Sequence, residues 1–272
     1  GLTAAIVVTL ALGLGGATAI LTVTRATLIG RLPYPAPDRL VEIHEQRPAT
    51  GEQTPTSYAT LEALRRGTTV FASLEGYDGA NFIVGSADGA RMVRGAELTT
   101  GFFRALGLRM LAGRDFASGE DAPGNPSIAI VTDRFARTTG MDGPGVASIM
   151  VNGIPRLVVG VLPSASEVGV LQEADVFTPL VVDEARRTDR GLRTLAIVGR
   201  LKPSVTMAQA ERDLATVMSQ LERSFPDALK GRIASITPLR DAVLGGVRPI
   251  VTSLLVAVAL LLLIMAANLA LL

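Results

Sequence analysis

His44 is the only histidine in the chain, so any imidazole-based acid, base or metal ligand would have to be this residue. It stands on the polar phase of Leu40-Val41-Glu42-Ile43-His44-Glu45, a run that alternates as a strand with one buried face, which predicts a surface position. A multi-histidine zinc site cannot be built from one imidazole. Cysteine is absent, which excludes thiolate ligands, cysteine nucleophiles and disulfides. No serine occupies a G-x-S-x-G elbow. Asp115, Glu120 and Asp121 make an acidic cluster, but Glu120-Asp121-Ala122-Pro123-Gly124 has the composition of an exposed loop rather than a cation site. Gly13-Leu14-Gly15-Gly16 has a superficial likeness to a dinucleotide-binding loop, yet it follows no strand and lies inside an apolar run. Lys202 and Lys230 are the only lysines, and neither has the Gly-Lys-Ser or Gly-Lys-Thr setting of a phosphate loop. Nucleotide-driven work would therefore need an ATPase outside this sequence. The residues point to no catalytic set, cofactor or metal.

The elements around these residues describe a sizeable mixed domain. A proline-rich connector, Leu32-Pro33-Tyr34-Pro35-Ala36-Pro37-Asp38, precedes the strand carrying His44. A helix is predicted from Thr56 or Ser57 to Gly67, then a strand over 71–77 and a hairpin pairing 81–86 with 91–98. Thr100 is placed to cap a short helix carrying Phe102, Phe103 and Leu106, with Gly107 as its stop. Residues 128–131 read as a strand followed by a helix capped by Thr132, and Asn152-Gly153 turns a second hairpin between 149–151 and 157–161. Further strands are expected over 176–180, 195–201 and 233–236. Between the last two, Thr206 caps a helix whose apolar residues Met207, Ala210, Leu214, Val217, Met218, Leu221 and Phe225 recur at helical spacing until Pro226 ends the run. Strands and helices mix without regular βαβ alternation, which argues for an α+β domain in two lobes.

Composition puts this domain between two membrane-compatible ends. The 272 residues are 48% hydrophobic with a mean hydropathy of +0.39, and the excess is concentrated at residues 2–24 and 249–272. Either stretch, at ~1.5 Å per helical residue, can cross a hydrocarbon core of about 30 Å. The expected organisation is a transmembrane helix over 1–29, an extracytoplasmic domain over 30–248 and a second helix over 249–272. Small residues at Gly13 and Gly16 suit close helix packing, and Asn268 can hydrogen-bond across to another helix or face the headgroups. A cleaved signal peptide is the rival for the first segment, since Ala17-Thr18-Ala19 has the form of a cleavage site. Against it, the apolar run continues through Ile20, Leu21 and Val23. Arg25, Arg31, Arg240 and Arg248 flank the spans on the domain side and leave orientation open, because long loops translocate largely regardless of charge. The chain opens without Met and begins and ends inside apolar runs, as a piece of a longer membrane protein would. A net charge of +1 without a basic block gives no footprint for nucleic acid.

LALGLGGATAI (10–20), GRLPYPAPDRLVEI (30–43), FFRALGLRMLAGRDF (102–116), VNGIPRLVVGVLP (151–163), VGRLKPSVTMAQAERDL (198–214) and LLLIMAANLALL (261–272) follow one another in this chain. Together they resemble the MacB/FtsX-type permeases of ABC transporters, nearest to the acidobacterial-type duplicated branch. The resemblance implies an inner-membrane permease with a periplasmic core domain between its first two helices and further helices beyond. It implies a cytoplasmic ABC ATPase subunit as partner, a second permease unit, a periplasmic partner and surrounding membrane lipids. It implies that ATP-driven motion reaches the core domain for export or extraction of a substrate it does not identify. The passage 128–153 is shorter than in relatives and lacks their tryptophan. The alternative reading is a membrane-tethered sensor or interaction module without an ATPase.

Overall fold

The computed structural model describes residues 32–86, 89–125, 127–141, 147–163, 169–172, 174–245, 252–260, 263 and 267. Contacts group Pro33–Leu239 as one compact unit and the two chain ends as another. Among the described residues no helix is long and apolar enough to cross a membrane. The expected spans over 1–29 and 249–272, with Gly13, Gly16 and Asn268, lie outside the described residues, apart from the helical residues 252–260, 263 and 267.

The described strands are β1 (Leu40–Arg47), β2 (Glu52–Thr54), β3 (Thr56–Ser57), β4 (Phe71–Ser86), β5 (Gly89–Leu98), β6 (Ala112–Gly113), β7 (Ile128–Thr132), β8 (Ser148–Val151), β9 (Ile154–Leu162), β10 (Val176–Pro179), β11 (Arg193–Leu201) and β12 (Ile233–Pro238). The helices are α1 (Tyr58–Gly67), α2 (Phe102–Leu106), α3 (Asp133–Thr138), α4 (Glu184–Thr188), α5 (Met207–Ser224), α6 (Pro226–Leu229) and α7 (Leu239–Gly245). One mixed sheet runs β12-β1-β11-β4-β5-β10-β7-β9-β6, with β10 parallel to β5 and β7 parallel to β9. The domain is α+β, as the mixed pattern implied.

The two lobes take the form of two cores sharing one long strand. Predicted as a strand and a separate hairpin arm, β4 is continuous. Its first half pairs with β11 from Phe71 to Tyr77, and its second half pairs with β5 from Tyr77 to Ser86. In the first lobe α1 and α5 cover one face of β12-β1-β11-β4, burying Val41, Ile43, Leu61, Leu74, Ile197 and Leu214. Ser57 caps α1 through Thr60 N, and Thr206 with Gln209 forms a reciprocal capping box on α5. In the second lobe β8 pairs with both β9 and β4, which closes β4-β5-β10-β7-β9-β8 into a ring around Phe82, Val84, Val93, Val151, Val158 and Val176. Closure removes sheet edges that would otherwise expose unpaired amides. Asn152 completes the seam: from a left-handed φ of 52° its side chain accepts Ile83 N at 2.8 Å, and its own N–H donates to Ile83 O at 2.8 Å.

Gly95 fixes how closely the ring closes. A Cβ there would overlap Val176 O of the parallel neighbour and lie 2.5 Å from the Phe82 ring. Gly95→Ala is therefore expected to cost about 1–3 kcal/mol, because both obstacles belong to a packed core. A lowered urea midpoint with an unchanged denaturant slope would register it; an unshifted midpoint would show that β5 and β10 can separate freely.

Thr100 does not cap α2 as predicted. Gly101 holds the N-cap position without a side-chain bond, while Gly107 ends the helix at φ 73° as expected. A Cβ at residue 101 would overlap the Glu75 carboxylate, so a larger residue there would have to displace that side chain from Arg65 and Thr99.

Candidate functional site

Two facts of register bring the ends of the domain together. β12 and β1 pair antiparallel, with Val41 opposite Pro238 and Gln46 opposite Ile233. The connector therefore leads into β1 beside the point where β12 hands the chain to α7. Neighbouring strands in a ladder lie about 4.7–4.9 Å apart. The incoming and outgoing segments are thus mechanically adjacent, and β12 ends the sheet.

The incoming connector is fastened to the sheet at several points. Tyr34 is buried, and a Cβ on Gly169 would come within 2.5 Å of its hydroxyl. Burial raises the Tyr34 phenol above its usual range, against a backbone bond with Val170 that lowers it. Pro35 packs on Gly107, where a Cβ would sit 3.0 Å from the proline ring. Ala36 turns the chain through a left-handed φ of 47°, a conformation costing about 1–2 kcal/mol without glycine, and Pro37 then starts a single 3₁₀ turn. Arg39 donates to Leu201 O from Nε at 2.8 Å and from Nη2 at 2.6 Å. Arg200 donates from Nη1 to Pro35 O at 3.0 Å and from Nε to Ala105 O at 2.6 Å. The last pair joins connector, central strand β11 and helix α2 through one guanidinium. Burial, and then the neighbouring Arg39 charge, hold Arg200 below the usual arginine range.

At the far end of the strand pair sits a buried charge cluster. Glu45 is 1% exposed and faces Arg193 Nε at 2.9 Å and Arg232 Nη1 at 3.6 Å. Arg193 also donates to Ala228 O at 2.6 Å, and Arg232 to Thr54 Oγ1 at 2.9 Å. The cluster ties β1 to β11, to β2, to α6 and to the loop before β12. Burial, then the adjacent Arg193 charge, lower Arg232 below the usual arginine range.

His44, expected at the surface, is half-buried, with Nε2 3.3 Å from Glu42 Oε2. Glu42 also accepts from the Tyr77 hydroxyl at 3.3 Å, and burial followed by the Glu42 charge raises the Tyr77 phenol. The pair lies on the face of β1 opposite the α1–α5 core, where α2 packs farther along the sheet. Among the described residues no group of three or more histidine, aspartate or glutamate side chains could hold a metal ion. Asp115 and Glu120 are engaged locally: Asp115 accepts Phe116 N at 2.7 Å, and Glu120 pairs with Arg114 at 2.7 Å. Sequence reading missed Glu45, because an acidic residue at a strand's end carries no mark of burial. It also missed the arginine latch, whose acceptors are backbone carbonyls far away in sequence.

The sequence profile of MacB-like periplasmic core domains matches residues 3–217. No curated protein matches the chain. Solved structures with this fold include a domain assigned to a permease protein from Porphyromonas gingivalis, at 16% identity and TM-score 0.59, covering 76% of this chain and 92% of that one. The periplasmic region of MacB from Actinobacillus actinomycetemcomitans aligns at 12% identity and TM-score 0.56, covering 77% and 92%. The extracellular domain of the noncanonic ABC-type transporter YknZ from Gram-positive bacteria aligns at 12% and 0.51, covering 73% and 99%. At such identities the likeness is one of fold. These matches lend no support to the finer placement in an acidobacterial-type branch.

Proposed function

The chain belongs to the family of MacB-like periplasmic core domains, and from that premise we propose that it is the extracytoplasmic part of an ABC-type permease. In this reading it receives motion from a cytoplasmic ATPase through flanking membrane helices and applies it to a substrate or partner outside the cytoplasm. The observation that carries the reading is the pairing of β1 with β12, which sets the incoming and outgoing segments side by side. A displacement of either segment acts directly on the sheet of the first lobe, and the shared strand β4 passes it to the second. The fastened connector suits this role, since a slack tether would absorb the displacement. Leu254, Val256 and Leu260 are exposed on the helical residues 252–260, as a lipid-facing segment requires.

Inserting a flexible Gly/Ser segment after Pro37 is expected to leave membrane insertion and folding intact and to abolish ATP-dependent function in a complemented deletion strain. Undiminished complementation would rule out the lever. Location is tested separately, using the absence of native cysteine. Ser118→Cys, at an exposed position, should react with a membrane-impermeant maleimide in intact spheroplasts. Labelling only after lysis would place the domain in the cytosol and end the permease reading. A membrane-tethered sensor without an ATPase would label from outside yet complement normally when ATP coupling is removed.

A further inference from the structure

Beside the connector, on the face of the sheet opposite the α1–α5 core, lies an open cleft of about 530 Å³. Its lining includes Arg65, Arg104, Arg200, Ser73 and Ser118, and a single carboxylate, Glu75. Three guanidinium groups and one carboxylate line the cleft, with Glu62 pairing Arg65 and Asp115 near Arg104 just outside it. Glu75 is already engaged: its Oε2 lies 2.7 Å from Arg65 Nη2 and accepts the Thr99 hydroxyl at 2.5 Å. Arg65 is engaged as well, donating to Leu74 O at 2.7 Å and to Glu62 at 2.7 Å.

The remaining donors are unspent. Ser73 and Arg200 are direct cross-strand neighbours on β4 and β11, so their side chains share this face. Arg200 uses Nε and Nη1 on carbonyls, while its Nη2 is buried with no hydrogen-bond partner. A charged donor out of water and without an acceptor is unfavourable, so a small side-chain shift that brings it to an acceptor oxygen in the cleft is favoured. Arg104 projects from α2, exposed, and its guanidinium makes no hydrogen bond among the described residues. Asp115 lies close enough to Arg104 to feel its charge but does not line the cleft. The hydroxyls of Ser73 and Ser118 likewise have no hydrogen bond among the described residues. The Arg104 guanidinium fork, the remaining Nη2 of Arg200 and two hydroxyls around one opening match the several acceptor oxygens of a tetrahedral oxyanion better than a single carboxylate.

We propose that this cleft binds a phosphate group, held by Arg104 and Arg200 with Ser73 and Ser118. The phosphate belongs either to a free anion or to an anionic lipid headgroup. Because Arg200 Nη1 also holds Pro35 O, an occupied cleft and a docked connector reinforce one another through the same side chain. The site goes beyond the permease reading and stands whether or not that reading holds.

The test uses the full 272-residue chain in non-ionic detergent, with inorganic phosphate titrated against chloride at constant ionic strength. At ten times Kd, phosphate is expected to raise the unfolding midpoint by about 3–5 °C. Arg104→Glu should abolish the shift, while Arg212→Glu, an exposed charge reversal on α5, should leave it intact. A parallel arm places the chain in nanodiscs of phosphatidylcholine with or without phosphatidylglycerol. Stabilisation by phosphatidylglycerol but not by free phosphate, lost in Arg104→Glu, would support the site and identify a lipid headgroup as the source. No stabilisation in either arm, or equal stabilisation of Arg104→Glu and the parent chain, would overturn it. Circular dichroism of Arg104→Glu matching the parent keeps misfolding from being mistaken for loss of binding.

Discussion

Glu45→Gln is expected to destabilise the domain by about 3–5 kcal/mol, because it removes the buried carboxylate that both Arg193 and Arg232 face. Glu45 is 1% exposed, and the two guanidinium groups have side-chain exposures of 17% and 8%, so water cannot replace the lost carboxylate. Replacing all three charged residues with Leu or Met of similar bulk is expected to recover most of the loss, since removing a complete buried cluster also removes its desolvation cost. Urea denaturation of the single and triple variants separates the two effects. Equal losses in both would show that the cluster acts through packing rather than charge. A single-variant loss below about 1 kcal/mol would mean the cluster is effectively solvated.

Phe103→Ala should lose a comparable amount, about 3–5 kcal/mol, as expected for emptying a large buried ring site. Phe103 is fully buried at the centre of an aromatic group, with ring centroids 6.2 Å from Phe102, 6.0 Å from Phe116 and 5.4 Å from Phe177. These contacts hold the single turn and a half of α2, too short to be stable alone. The helix supplies Ala105 O to Arg200, so loosening it also weakens the hold on the connector. Phe103→Leu, which keeps most of the buried volume, should retain more than half of the stability. If hydrogen exchange at 102–107 is as slow in Phe103→Ala as in the parent, α2 is held by something other than this ring.

Local chemistry made much of the fold legible in the sequence. Thr206 and Gln209 spell out the start of α5, Gly107 marks the end of α2, and Asn152-Gly153 turns the β8–β9 hairpin. These signals act between near neighbours, where residue type decides backbone conformation. Long-range consequences were harder to read. The ring closed by β8 depends on a ladder between residues 84–85 and 150–151, and nothing in either short segment names its partner. The continuity of β4 was hidden by Asp78 and Gly79, which break the strand pattern where two lobes share it. Gly76 is needed there, since a Cβ would press on Leu61 at 3.0 Å and Leu195 at 3.2 Å. The connector's stiffness was visible in its prolines. Its attachment was not, because Arg39 and Arg200 reach carbonyls that any residue could have supplied.

The antiparallel register of β1 and β12 also fixes how the domain yields under load. Tension drawing the incoming and outgoing segments apart meets the Val41–Pro238 end of the ladder first, so its hydrogen bonds would break one after another, as in unzipping. Such loading gives way at far lower force than shear, in which all the bonds resist at once. Glu45 and its two arginines stand near the opposite end of the same ladder, Glu45 facing Ala234, and so act as a detent where peeling halts before the first lobe opens.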